Sequence, residues 1–217
     1  MIKLLNGDCI KLMSSVEKVR YLLTDIPYEV VSRKDNGLRN LNKGAADKKT
    51  FNLDEFLECI YDKADIFTIF CGNEQYSIIY DWFYSKQKEH KGTVRQIVWA
   101  KTNPSPMNGE YVYLSGTENA VWFKKSNTGK LNTKCKKNWF VYPIGRSKLH
   151  PTEKNINLLI DLIDDNTNIG DTVLDCCMGS GSTGIACINT NRNFIGLEID
   201  ETYFNIAKDR LEKAVNK

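Results

Sequence analysis

Two stretches of this chain carry side chains that can do chemistry. At Asp25-Ile26-Pro27-Tyr28 a carboxylate, a proline-restricted backbone and a phenol follow a short apolar run, residues 21–24. Proline has no N–H for a sheet ladder, so a strand ends there and presents those side chains at its C-terminal edge. That edge is where open α/β sheets bind ligands. At residues 172–174 a second apolar run ends at Asp175 and opens into Cys176-Cys177-Met178-Gly179-Ser180-Gly181-Ser182-Thr183-Gly184. Strand, glycine turn and helix together hold a nucleotide-like ligand in many α/β proteins. Gly179 and Gly181 can adopt positive φ and let a ligand approach the backbone, and Gly184 lets the helix pack close to the strand. A carboxylate at the end of the next strand, Glu198, can accept hydrogen bonds from both hydroxyls of a ribose. The ligand is thus of nucleoside type. The turn alone leaves NAD and S-adenosylmethionine both open.

The elements that must position these groups alternate. Apolar runs at 66–70, 93–101, 117–125, 139–142 and 193–197 read as strands. A short helix is expected over 10–13, and one capped by Asn52 or Asp54 runs to about residue 62. Further helices cover 74–88, 156–163, 185–189 and 201–215, with apolar residues at helical spacing. In the helix over 74–88, Tyr76, Ile79, Tyr80 and Phe83 read as core rather than as a base-stacking platform. The whole is an α/β protein with a mostly parallel sheet and helices on both faces. Residues 1–217 form a single domain on this reading. The glycine turn usually opens such a domain, but here it lies near the end. Two polar, basic stretches interrupt the pattern. One, 29–50, carries Arg33, Lys34 and Arg39; the other, 124–148, carries Lys134, Lys136 and Arg146.

Composition narrows the field. With 41% hydrophobic and 26% charged residues the chain is an ordinary globular protein. A net charge of +3 is compatible with a nucleic-acid partner without demanding one. Seven cysteines, several inside apolar runs and none in paired C-x-x-C spacing, suggest reduced thiols and a cytoplasmic protein, not a disulfide frame or zinc site. Two histidines speak against a histidine-based metal site. No apolar run reaches membrane-spanning length and the start does not read as a signal peptide.

The order of the two motifs, with the residues in them, resembles the beta-class DNA amino-methyltransferases. That family carries Asp/Asn/Ser-Pro-Pro-Tyr/Phe early and Asp-x-Phe-x-Gly-x-Gly-Thr late. Asp25-Ile26-Pro27-Tyr28 and Asp175 to Thr183 match these in turn. Asn6-Gly7-Asp8, His150-Pro151-Thr152-Glu153-Lys154-Asn155 and Gly196-Leu197-Glu198-Ile199-Asp200 match three smaller signatures. The departures are Ile26, Cys177 and Asn155, where the family has proline, phenylalanine and proline.

The resemblance implies a Rossmann-like methyltransferase fold with circularly permuted motif order. It also implies methyl transfer from S-adenosyl-L-methionine to an exocyclic amine of DNA, with Asp at the first position leaning toward adenine over cytosine. Such an amine is a weak nucleophile because its lone pair is delocalised. Asp25 can accept one of its hydrogens and the carbonyl of Ile26 or Pro27 the other; the resemblance favours Pro27. Acceptors off the ring plane favour a pyramidal nitrogen and so bind the transition state best. Tyr28 would stack on the flipped base. Asp175, Gly179, Gly181, Thr183 and Glu198 would hold the cofactor. Asp8 and Cys9 would border its adenine, and His150 and Thr152 would close its methionine side. Lys134, Lys136 and Arg146 would track DNA phosphates, and Arg33, Lys34 and Arg39 would do the same or reach bases, with the target-recognition element in one of the stretches 29–50 and 124–148. A restriction endonuclease, a second subunit and a homodimer are the partners in view, with no membrane. An inactive DNA-binding subunit, a cytosine-N4 or RNA enzyme and a NAD-dependent oxidoreductase are the rivals.

Overall fold

A computed structural model describes residues 1–28, 51–106, 109–145 and 153–216. The strands are β1 (Ile2–Asn6), β2 (Val19–Asp25), β3 (Ala64–Cys71), β4 (Gly92–Lys101), β5 (Thr117–Lys125), β6 (Trp139–Tyr142), β7 (Thr172–Asp175) and β8 (Asn193–Glu198). The helices are α1 (Cys9–Leu12), α2 (Leu53–Tyr61), α3 (Asn73–His90), α4 (Ile156–Asn166), α5 (Ser182–Asn189) and α6 (Glu201–Val215). The strands form one sheet in the order β1-β8-β7-β2-β3-β5-β4-β6. Every neighbouring pair is parallel except the two made by β5, which runs antiparallel to both β3 and β4.

The sheet is covered on both faces, as the continuous apolar strands require. Along β2 successive side chains alternate between two cores. Leu22 faces one built with α1, α2 and α3, and Tyr21 and Leu23 face one built with α4, α5 and α6. Asn52 rather than Asp54 caps α2, its side chain accepting from Glu55 N at 3.2 Å. Three helices exceed their sequence-expected spans, α3 by a residue or two at each end. α5 starts at Ser182, directly after Gly181 in the left-handed conformation, and α4 continues to Asn166. Asn166 is held there because its side chain accepts the Trp122 indole N–H at 2.9 Å and donates to Leu162 O at 2.7 Å.

The strand order settles how the two motifs meet. β7 lies beside β2 and parallel to it, although some 150 residues separate Asp25 from Asp175 in the chain. Both strands therefore deliver their acids to the same edge of the sheet. β5, being reversed, brings its first residues, Thr117 and Glu118, to that edge too.

Candidate active site

Asp175 ends β7 with both carboxylate oxygens occupied. Oδ1 accepts from the Thr24 hydroxyl at 2.8 Å and from Cys177 N at 3.1 Å. Oδ2 accepts from the Thr183 hydroxyl at 2.6 Å. Asp175 is buried, and burial raises its carboxyl to about 6 against the pull of those three donors. The turn it supports needs its glycines: φ is 51° at Gly179 and 81° at Gly181. Gly184 lets α5 pack closely, since a Cβ there would lie 2.7 Å from Leu211 on α6 and 2.9 Å from Phe194 on β8. The close approach at Gly184 is thus to α6 and β8, where the sequence pointed to the strand before the turn.

Glu198 reaches back from the end of β8 into the same turn. Its Oε2 accepts from Gly179 N at 2.8 Å and its Oε1 from Asp200 N at 2.9 Å. Burial raises its carboxyl, opposed by these backbone donors. The start of the chain joins here. Gly7 N and the Asn6 side chain both donate to Glu198 O at 2.8 Å. Asp8 caps α1 through Ile10 N at 2.9 Å, and Cys9 lies close enough to Cys177 to help push that thiol up. Asp8, Cys9, Gly179 and Glu198 are thus gathered at one end of β1, β8 and β7.

At the end of β2, Ile26 N still donates to Phe70 O at 3.2 Å, and the ladder stops at Pro27 for want of an N–H. Ile26, in the place of the family's first proline, is buried among the apolar residues of the α1–α3 face. The Asp25 carboxylate accepts from the Tyr28 hydroxyl at 2.9 Å through Oδ1 and from the Lys154 ammonium at 2.6 Å through Oδ2. Burial raises the Asp25 carboxyl, Lys154 pulls it down, Glu118 raises it again and the Tyr28 hydroxyl lowers it, and the balance leaves it above the ordinary aspartate value. Burial, then the Asp25 charge, push the Tyr28 phenol well up, so at neutral pH it is a donor.

Sequence reasoning missed the next shell of contacts. Lys154 also lies 2.8 Å from Glu118 Oε2, and Lys101 lies 2.8 Å from Glu118 Oε1. Burial pushes the Glu118 carboxyl up, but the two ammoniums outweigh it and leave it below the usual carboxylate range. Gln75, in the first turn of α3, accepts from Gly72 N at 3.0 Å and donates to the Pro27 carbonyl at 2.8 Å. Beside Tyr28, Gln75 and Glu118 opens a hollow of about 390 Å³, within the range of small-molecule sites. The one available signal was Lys154 itself, quoted within the sequence motif around His150. Nothing local marked Gln75 or Glu118.

Of the other expected contacts, only Lys134 and Lys136 fall among the described residues, and neither is brought to this rim. Arg33, Lys34 and Arg39, and Arg146, His150 and Thr152, lie outside the described residues. Lys134 and Lys136 belong to the connection leaving β5 at the opposite edge of the sheet, where Lys125 pairs with Gly92. Asn132 of that connection is bound to the C-terminal end of α4. Lys136 is turned against α4, 3.4 Å from Asp161 and 3.3 Å from Asp165. The rim instead presents Tyr111 and Tyr113, in the β4–β5 connection, at 84% and 103% exposure.

A family model described as DNA methylase, of the N6/N4 type, matches residues 19–209. The chain belongs to the N6/N4 DNA methylase family. Within curated members it is 30% identical to the Type II methyltransferase M2.DpnII of Streptococcus pneumoniae over 159 residues, which is 62% of this chain and 56% of that protein. It is 27% identical to M2.MboI of Moraxella bovis over 233 residues, covering 94% of this chain and 85% of that one. The fold superposes on M1.HpyAVI, solved as a complex with SAM, with a TM-score of 0.76 at 31% identity, over 97% of this chain and 100% of that one. The cytosine-N4-specific PvuII DNA methyltransferase matches with a TM-score of 0.73 at 16% identity, over 99% of this chain and 91% of that one. That likeness concerns the fold alone. The permuted Rossmann-like methyltransferase fold expected from the motif order is the one this family shares. Among the described residues no helix is long and apolar enough to cross a membrane.

Proposed function

We propose that this chain transfers a methyl group from S-adenosyl-L-methionine to the exocyclic amine of a base flipped out of DNA, with adenine the favoured base. The observation that carries the reading is the adjacency of β2 and β7, which puts Asp25 and the glycine turn side by side on one edge. The turn's residues suit the donor. Positive-φ glycines leave open backbone beside the N-terminus of α5, and a carboxylate accepts two hydrogen bonds while each oxygen keeps a lone pair for a ribose hydroxyl. Bound there, the sulfonium supplies an electrophilic methyl group.

The chain's own residues do the rest. Asp25 accepts one hydrogen of the amine and the Pro27 carbonyl accepts the other, holding the nitrogen toward a pyramidal shape. Gln75 fixes the direction of that carbonyl. Tyr28 lies against the hollow and stacks on the base. Asp25 receives the proton that the methylated nitrogen sheds. Asp175 and Thr183 act as props of the turn. Asp8 and Cys9 border the donor's adenine, and His150 and Thr152 close over its methionine side.

DNA contact falls to the rim. Tyr111 and Tyr113 are exposed aromatics in the β4–β5 connection, suited to stacking on unpaired bases. Arg33, Lys34, Arg39 and Arg146 contribute phosphate contacts, and Lys134 adds a peripheral one. Since the relatives are Type II methyltransferases, a restriction endonuclease of the same specificity is the proposed companion, in the cytoplasm.

The test is incubation with labelled S-adenosyl-L-methionine and a panel of duplex DNA, single-stranded DNA and RNA, followed by nucleoside analysis. N6-methyladenine in DNA is expected. N4-methylcytosine, or label in RNA only, would replace the adenine assignment, and no label in any nucleic acid would end the proposal. Asp25→Ala is expected to abolish transfer while donor binding by calorimetry persists.

A further inference from the structure

Lys154 is buried to 8% exposure between two acids, yet it lies outside every contact expected of the donor or the base. We infer that Lys154 is a positioning residue that keeps Asp25 ionised and aimed, with Glu118, anchored by Lys101, holding the ammonium in place. The inference rests on the proposed role of Asp25 as acceptor of an amine hydrogen.

The geometry supplies the argument. An acid that is to accept a hydrogen must be a carboxylate, and Asp25 and Glu118 are two acids within 2.8 Å of one nitrogen. Without a cation between them, two such neighbours could not both stay charged. Lys154 separates them, and Lys101 on the far side of Glu118 brings the row to two acids and two cations. The other groups facing Asp25 are the Tyr28 hydroxyl, the Cys71 thiol and the Asp175 carboxyl, none of them a cation. Among the described residues Lys154 is therefore the cation in direct contact with Asp25. Burial works against its charge, but Asp25 and Glu118 overcome this and hold its ammonium well above the usual range.

The backbone behind Lys154 is fixed on both sides. Asn155 caps α4 through Asn157 N at 2.9 Å and donates to Pro143 O at 3.0 Å. Glu153 accepts from the Ser182 hydroxyl at 2.8 Å and pairs with Arg210. Consecutive residues thus reach opposite halves of the site: Glu153 the first turn of α5, Lys154 the acid of β2. When an amine approaches Asp25, the ammonium has a second carboxylate to rest on, so Oδ2 can turn toward substrate without stranding a buried charge.

The deciding measurement is a carbon-13 carboxyl titration of Asp25 in the full chain, free of donor and DNA, for the parent, Lys154→Met and Glu118→Gln. Lys154→Met should raise the Asp25 midpoint by about one pH unit or more, since it removes the opposite charge. Glu118→Gln should lower it. Lys154→Arg should keep the midpoint near the parent's while slowing transfer, because a planar guanidinium does not match the ammonium's position. Donor binding should change by less than about twofold in all three, since among the described residues Lys154 bonds to none of those proposed to hold the donor. An Asp25 midpoint that stays put in both variants, or moves the same way in both, would overturn the inference. If Lys154→Met does not fold, Lys154→Gln and Glu118→Gln carry the same comparison. A parent protein that methylates nothing would sink the proposed activity and leave these midpoints readable.

Discussion

Thr24 donates a 2.8 Å hydrogen bond to Asp175, tying the strand that ends at Asp25 to the strand that opens the glycine turn. Both partners are buried, so the bond has no water to replace it. Thr24→Val keeps the shape and removes the donor. Stability should fall by about 1–3 kcal/mol, and donor affinity should fall with it because the turn loses a prop. Thermal unfolding and calorimetry check both. An unchanged melting temperature would show that Thr183 and Cys177 hold Asp175 unaided.

Asp175 predicts a pH dependence. Its folded carboxyl is raised from 3.8 to about 6 by burial. A raised acid favours the protonated folded state. Its contribution is therefore fully present below pH 3.8 and is lost as the pH rises through about 6. Asp175→Asn removes this titration and keeps a side-chain oxygen for Cys177 N. At pH 8 the variant should match or exceed the parent, by up to the order of 2 kcal/mol, and the advantage should vanish near pH 4. Denaturant unfolding at the two pH values reads it. A variant equally destabilised at both would mean that the hydrogen-bond geometry, not the charge, dominates.

The legibility of this protein in its sequence follows a physical line. The strands and helices were readable because burial on two faces leaves continuous apolar runs and helical stripes, as in β3 and α4. Asp25, Asp175 and Glu198 were readable because each ends a strand at a turn whose chemistry is local. The direction of β5 was not, since side-chain alternation is the same for either sense of a strand. For the same reason the lysine-rich connection after β5 could not be assigned to an edge from its composition. Gln75 reads as one more polar position in the first turn of an amphipathic helix, and Glu118 as a polar residue in a strand. Their partners, Pro27 and Lys154, lie 48 and 36 positions away in the numbering, so only the packed sheet brings them together.

Gln75 gives a prediction of its own. Its amide joins Gly72 N to the Pro27 carbonyl, and it is 2% exposed. Gln75→Leu fills a similar volume but leaves both backbone groups unsatisfied, at a cost of about 1–3 kcal/mol. If the Pro27 carbonyl receives an amine hydrogen only as the nitrogen becomes pyramidal, kcat should fall while KM for DNA changes little. Gln75→Glu keeps the acceptor for Gly72 N and turns a repulsive oxygen on Pro27, so its kcat should fall at least as far. Steady-state kinetics separates the cases. A KM increase with unchanged kcat would make Gln75 a binding residue.

Glu198 joins the glycine turn to β8 through Gly179 N at 2.8 Å and Asp200 N at 2.9 Å, and the same oxygens are proposed to receive the ribose hydroxyls. Glu198→Ala should weaken donor binding, but loss of the turn's support alone would also do that. A 2′-deoxy analogue of the donor separates the two. In the parent the analogue should bind more weakly than the donor by about 1–3 kcal/mol, the range for a hydrogen bond to a charged group. In Glu198→Ala that difference should collapse, the signature of direct coupling in a double-mutant cycle. Burial raises the Glu198 carboxyl, so the parent's preference for the hydroxylated donor should also fade toward acid pH as the acceptor is protonated. A preference that survives intact in the alanine variant would place the ribose elsewhere and leave Glu198 as a support of the turn.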